Sequence, residues 1–143
     1  YFWRLSMSTI LVNTLTGTST AGSIAVTGEG NSTTTNLQQG LGKVWFHFDG
    51  TSTAAIDDSF NVSSLDDDGT AQYGINYTNN MSGSHYAVGG NYANGNDSNT
   101  LRSMTFHTTT TSAVDMDGWY QSGSTTTQQD GTDNRGIVMG DLA

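Results

Sequence analysis

The chain of 143 residues contains no cysteine and no proline, only one lysine (Lys43) and only one glutamate (Glu29). The lack of cysteine excludes disulfide bonds, thiol catalysis and zinc sites built on thiolates. Charged residues make up 12% of the chain, against a usual level of about 25%. Good helix formers are therefore scarce, while the abundant Thr, Tyr, Val and Ile favour strands. The composition predicts an all-β fold.

The charge is strongly negative and unevenly placed. Formal net charge is -9, which argues against nucleic-acid binding because phosphate contacts need clustered Lys and Arg. Residues 1–36 carry only Arg4 and Glu29 and are neutral, so the acidic excess belongs to the remainder. The longest apolar runs span only a few residues, which argues against membrane insertion. The first methionine is Met7, as expected either of a processed chain or of a start at that residue.

No sequence motif indicates a catalytic site or a cofactor. The chain has no Gly-x-Ser-x-Gly elbow, phosphate loop or His-Glu-x-x-His pattern, so we expect no enzyme activity and no cofactor. His47, His85 and His107 are too far apart for a local metal motif, and no metal site is predicted. The Asp66-Asp67-Asp68-Gly69 run lacks the spacing of a calcium loop and is interpreted as a hairpin turn.

Residues 1–36 are predicted to form an extended β-hairpin arm. Ile10 and Val12 alternate on one strand face, a Thr/Ser/Gly turn follows, and Ile24 and Val26 alternate again. Two short strands on their own would leave long edges exposed. We therefore expect this arm to attach the chain to a partner or to drive oligomerisation, with those four residues at the contact.

Residues 37–143 are predicted to form a β-sandwich body, either jelly-roll-like or immunoglobulin-like. Alternating apolar residues recur with turn signals about every ten residues, which is typical of sandwiches and barrels. A loop is expected over residues 89–100 and another over 121–135. The predicted strands are marked by alternating residues that include Val44/Phe46/Phe48, Ile56/Phe60/Val62, Tyr73/Ile75/Tyr77, Tyr86/Val88, Arg102/Met104/Phe106, Val114/Met116 and Ile137/Val138/Met139.

Three aromatic residues are candidate binding residues. Trp45 should point away from Val44 and Phe46, and the neighbouring Trp119 and Tyr120 should lie on opposite faces of one strand. Exposed rings stack on sugars, whereas buried rings anchor a core or a subunit interface. These three residues are therefore expected to bind a glycan or to form an interface, with the interface or core role the more common one.

Several segments resemble predicted structural and tail-fibre-like proteins of aquatic tailed phages of the cyanophage type. The resemblance is carried by Thr-Ala-Gly-Ser-Ile-Ala-Val-Thr-Gly-Glu-Gly at 20–30, Lys-Val-Trp-Phe-His-Phe-Asp-Gly-Thr at 43–51, and residues 35–41, 58–65, 67–70 and 86–90. It covers about the first two thirds of the chain. It implies a virion structural protein at the particle surface, without catalysis. Because trimers are common among phage fibres, it also implies a homotrimer. It carries no functional residue over to this chain.

The expected function is accordingly that of a tail-fibre, tail-tip or capsid decoration component, which contacts other virion proteins and itself. Two alternatives remain open. One is a carbohydrate-binding module that recognises a host surface glycan, and the other is a bacterial surface filament or adhesin subunit.

Overall fold

A computed structural model describes residues 10–18, 24–27, 33–95 and 101–143 of the chain. The part of the predicted arm before Ile10, Met7 included, lies outside these residues, as does the end of the loop predicted over 89–100. Contacts divide the chain into two compact units, Tyr1–Gln38 and Gln39–Ala143. We call the first unit the arm and the second the body. The division lies two residues beyond the boundary expected from the sequence.

The arm contains a small hairpin. Strand β1 (Ala25–Thr27) pairs antiparallel with β2 (Thr34–Asn36), and the Leu37 amide donates a 2.8 Å hydrogen bond to the Ile24 carbonyl. The strand expected at Ile10 and Val12 is wrong, since residues 10–18 form no strand and β1 pairs further along the chain instead.

The body is built from nine strands in the described residues. Most of them follow from the alternation of apolar and polar residues that is typical of strands. Their bounds are β3 (Gly42–Asp49), β4 (Ala55–Phe60), β5 (Val62–Gly69), β6 (Gln72–Tyr77), β7 (Ala87–Ala93), β8 (Leu101–Thr109), β9 (Ala113–Ser122), β10 (Thr125–Gln128) and β11 (Asp133–Met139).

Two antiparallel sheets form the sandwich, which confirms the predicted fold class. The first sheet has the order β4-β3-β11-β7. In the second, β5, β6 and β9 follow one another, β8 pairs with the other side of β9, and β10 pairs with the end of β9 that extends past β6. Among the described residues no helix is long and apolar enough to cross a membrane.

The core lies between the two sheets. One sheet contributes Val44, Phe46, Phe48 and Val138, and the other contributes the inward side chains of β6 and β9. Phe48 packs edge-on against Tyr73 across the interior, with ring centroids 4.9 Å apart. Two close approaches need glycine, because a Cβ at Gly136 would meet the Phe46 ring at 2.2 Å and one at Gly118 would meet Tyr92 at 2.7 Å.

The chain crosses from one sheet to the other at Asn61. This residue separates β4 from β5 and has a left-handed backbone (φ 59°). Its side-chain amide donates to the Lys43 and Asn79 carbonyls, each at 3.1 Å, and its oxygen accepts from the Asn79 backbone amide at 2.7 Å. Asparagine tolerates this conformation better than most residues, and here its side chain also fixes the corner.

Three local expectations are wrong. The Asp66–Asp68 run lies inside β5 rather than in a turn, and the turn follows at Gly69–Ala71, where both Gly69 and Ala71 have positive φ. Exposed aspartates suit β5 because it is an edge strand, and charge discourages further pairing there. Of the predicted loops, the first begins only after β7 ends at Ala93, and the second contains β10. β10 contains no alternating apolar residues, so the sequence does not predict this strand.

Candidate binding face

Four residues form a continuous row across the outer face of the first sheet. Trp45 in β3 lies opposite Phe60 in β4 on one side and opposite Ile137 in β11 on the other. Ile137 in turn lies opposite Gly89 in β7. Their neighbours Val44, Phe46 and Val138 point inward, so the alternation of each strand places this row toward solvent. We call it the apolar row.

The large side chains of the apolar row are well exposed. The exposed fraction is 39% for Trp45, 52% for Phe60 and 44% for Ile137. Met139, which pairs beside the row, and Leu41 are exposed as well. A contiguous apolar patch on a soluble domain marks an interaction surface more often than scattered apolar residues do. Covering one such side chain contributes about 1.5–3 kcal/mol when burial is complete.

A second row, which we call the charged row, runs parallel to the apolar row and lies two residues away along each strand. It consists of Asp58, His47, Arg135 and Asn91, which lie opposite one another across the sheet. The Oδ1 atom of Asp133 lies 2.9 Å from His47 Nε2 and 2.7 Å from Arg135 Nε. Polar donors and acceptors therefore lie beside an aromatic surface, an arrangement that can bind amphipathic ligands or a protein partner.

Trp119 and Tyr120 point to opposite faces of β9, in agreement with the period of the strand. The Trp119 indole donates a 3.0 Å hydrogen bond to Thr105 Oγ1 on the outer face of the second sheet. Tyr120 instead contacts Arg102, whose guanidinium carbon lies 4.8 Å from its ring centre and 5.2 Å from that of Tyr92. Trp45 and Trp119 thus lie on different sheets, and the structure does not bring the three predicted aromatics together.

The arm presents further exposed apolar side chains. Ile10 is 81% exposed and Leu11 90%, and Val12 and Leu15 are also mostly exposed. Val26 in β1 is exposed and Ile24 is partly buried. The described part of the arm therefore leaves most of its aliphatic surface uncovered. Covering large aliphatic side chains of this kind with another surface is favourable.

The histidines and aspartates do not converge on a metal centre. His47 contacts Asp57 and Asp133, while His107 lies 3.4 Å from Asp117 on another sheet. His85 lies in an open cavity beside Tyr86 and Asp141. No group of three or more potential metal ligands exists in the part of the chain that the structure describes.

Tyrosine hydroxyls form hydrogen bonds inside the sandwich, around Tyr73 at one end and around Tyr77 at the other. Tyr73 has its hydroxyl 3.0 Å from the Gly50 carbonyl and 2.9 Å from Asp130. Tyr77 donates to Tyr86, which in turn lies 2.8 Å from the Ala113 carbonyl. Burial raises the pKa of all three phenols, and for Tyr73 the Asp130 carboxylate raises the pKa further. These phenols are hydrogen-bonded within the sandwich and stabilise its packing.

Sequence reasoning placed Trp45 on an outward face but missed its companions. Phe60 and Ile137 were recognised only as strand residues, because alternation within one strand does not reveal which residues lie opposite in the next strand. The register between β3 and β4 also shifts, between His47 and Phe48 of β3. No family model, curated protein or solved structure matches this chain.

Proposed function

We propose that this protein is a structural subunit that assembles through its arm, as a component of the surface of a tailed-phage particle. The observation that carries the proposal is the exposure of Ile10, Leu11, Val12 and Leu15. Another surface that covers this segment gains stability, since each large aliphatic side chain contributes about 1.5–3 kcal/mol on full burial.

The charge distribution supports the same proposal. The net charge of -9 belongs to residues beyond the first 36, so the acidic body repels other bodies while the neutral arm does not. An acidic sandwich displayed outward with a neutral arm directed into an assembly suits a particle surface. The virion setting, and the choice between tail fibre, tail tip and capsid decoration, come from the resemblance of the sequence to phage structural proteins.

Charge substitution within the arm tests this proposal. Ile10→Asp combined with Val12→Asp should reduce self-association, because the new carboxylates would have to be desolvated in the contact. Thr14→Asp combined with Thr16→Asp adds the same charge to the same segment without removing aliphatic surface, and it serves as the matched control. Sedimentation velocity on the full chains should show a smaller species for the first variant than for the control. Equal masses for both would contradict assembly through these aliphatic residues.

A second candidate function is glycan recognition by the apolar row. Trp45 and Phe60 lie side by side on a flat sheet face, and the charged row beside them offers hydrogen-bond partners for sugar hydroxyls. Binding to an array of bacterial surface polysaccharides should be lost on Trp45→Ala and kept on Trp119→Ala, which removes an indole from the other sheet. Loss of binding in both variants or in neither would argue against this site.

A further inference from the structure

Strand β7 forms one edge of the first sheet and lacks the charged or proline residues that usually prevent another strand from pairing with such an edge. All seven of its residues pair with β11, and in the described residues no strand pairs with its other side. Its sequence, Ala-Val-Gly-Gly-Asn-Tyr-Ala, contains no charge and no proline. Strand edges with these properties are templates for an added strand, and soluble proteins normally block them.

Three of the other edge strands of the body carry charge. Asp57 and Asp58 lie in β4 and Asp66–Asp68 in β5, while β8 contains Arg102 and His107. Charged side chains on an edge strand discourage the pairing of another chain. The edge strand β10 is uncharged as well but has only four residues, so β7, with seven, is the longest uncharged edge in the described residues.

The two central glycines of β7 have different explanations. A Cβ on Gly90 would lie 2.6 Å from the Arg135 carbonyl and 2.7 Å from the Met104 sulfur, so packing requires glycine there. A Cβ on Gly89 would meet nothing within 4 Å, and its φ lies outside the left-handed region. Neither packing nor backbone conformation explains Gly89. Glycine in a strand often marks a place where another backbone approaches closely.

Gly89 also ends the apolar row. Ile137 has Trp45 on one side and only the bare backbone of Gly89 on the other. A strand added to β7 would place its own side chain next in the row, about 4.5–5.5 Å from the Gly89 position. An aliphatic residue there would extend the row and cover part of Ile137.

The charges of the molecule identify the occupant. Two bodies that pair through their β7 strands would bring two acidic units together, which repulsion opposes. The arm is neutral, and Ile10 and Val12 alternate in its exposed segment. Because residues with that spacing share one face of a strand, a single register places both on the apolar-row side when the segment pairs with β7.

We propose that the β7 edge is the acceptor for the arm, and that residues 10–15 of a second copy add as a strand beside Gly89 and extend the apolar row. This inference rests on the proposed function, since it names the surface that the arm binds. Main-chain hydrogen bonds would supply affinity and the aliphatic side chains would fix the register. Such a contact is head-to-tail, so it closes into a ring such as a trimer if the rotation permits.

Cross-linking between copies tests the contact directly, because the natural chain has no cysteine that could compete. Full chains carrying Val12→Cys are mixed with full chains carrying Gly89→Cys and oxidised, and the same is done with Ile10→Cys. One arm position should form a mixed disulfide with position 89. The control is Gly83→Cys, where a Cβ likewise meets nothing within 4 Å. We expect about tenfold less mixed disulfide at 83, since a bound arm concentrates its thiol only near β7.

The outcomes separate this inference from the proposal on which it rests. Arm-to-arm disulfides without arm-to-89 disulfides would overturn β7 as the acceptor and leave assembly through the arm intact. Equal cross-linking at 83 and 89 would also overturn it. A natural chain that is monomeric at every concentration would overturn the proposed function itself.

A second variant needs no cross-link. Gly89→Lys places a charged side chain against the aliphatic residue that the added strand brings next to position 89, and should weaken self-association about tenfold. Gly83→Lys adds the same charge elsewhere and should leave association unchanged. Urea unfolding of both variants checks that the body remains folded. Unchanged association of folded Gly89→Lys protein would contradict the inference.

Discussion

The hydroxyl of Tyr73, in the middle of the second sheet, lies 2.9 Å from a carboxylate oxygen of Asp130 in the segment that leads into the first. Asp130 also accepts a 2.7 Å hydrogen bond from the Ala71 amide, and the same Tyr73 hydroxyl reaches the Gly50 carbonyl. One phenol thereby connects the β5–β6 turn with the connections that follow β3 and β10. This end of the sandwich is held by side-chain contacts across its interior.

Removing that hydroxyl should destabilise the body without changing its shape. Tyr73→Phe keeps the ring packed against Phe48 but leaves Asp130 with one partner fewer, at a cost of about 1–3 kcal/mol. Tyr120→Phe is the matched control, because the Tyr120 ring contacts Arg102 through its face. Urea unfolding should show a lower midpoint for Tyr73→Phe and little change for the control. Equal midpoints would contradict the structural role of the Tyr73 hydroxyl.

The same phenols predict alkaline unfolding. Burial raises the folded-state pKa of Tyr73, Tyr77 and Tyr86, whereas unfolded tyrosine titrates near about 10. Above that pH the unfolded chain releases protons that the folded chain retains, so the free energy of unfolding falls as pH rises. A phenol that stays protonated in the folded chain while it ionises in the unfolded chain contributes a slope of up to about 1.4 kcal/mol per pH unit. Below pH about 9 these groups give no pH dependence.

Urea midpoints measured between pH 8 and 11.5 check this expectation. The natural chain should lose stability steeply above pH about 10, and Tyr73→Phe should show a shallower loss because one titrating group is gone. Phenolate absorbance of the folded protein gives a second measurement. If all tyrosines ionised near pH 10 while the fold remained intact, the buried phenol network would be wrong.

The corner at Asn61 should be sensitive to substitution in two separable ways. Asn61→Gly keeps the left-handed backbone but removes the hydrogen bonds to Lys43 and Asn79, each contributing about 0.5–1.5 kcal/mol. Asn61→Ala removes the same bonds and adds a backbone cost of about 1–2 kcal/mol. Thermal and urea unfolding should therefore rank the natural chain above Asn61→Gly and that variant above Asn61→Ala. Equal stability of the two variants would show that the backbone conformation is not strained for alanine.

Much of the sandwich could be predicted from the sequence because its central strands alternate strongly. Val44, Phe46 and Phe48 in β3 are all buried, and Trp45 between them is exposed. The prediction of a turn at Asp66–Asp68 is wrong because aspartate is typical both of turns and of protected edge strands. Only tertiary structure decides between the two. In β7, Gly89 and Gly90 resemble loop residues, although Gly90 is required by packing beneath Met104 and Phe106.

The candidate face was only partly predictable for a related reason. Outward orientation of Trp45 follows from one strand, but the row from Phe60 to Gly89 depends on the register of four strands. Gly89 gave no signal at all in the sequence. Its significance comes from comparing the space around it with the space around Gly90, which requires coordinates.

The mass of the full chain in solution tests the central claim most directly. Sedimentation velocity over a range of concentrations should show a defined multimer at the higher concentrations, because the exposed aliphatic residues of the arm need a second copy to cover them. The same measurement on Ile10→Asp/Val12→Asp should show a shift toward the mass of one chain. A natural chain that sediments as a single 15.2 kDa species throughout would contradict assembly through the arm.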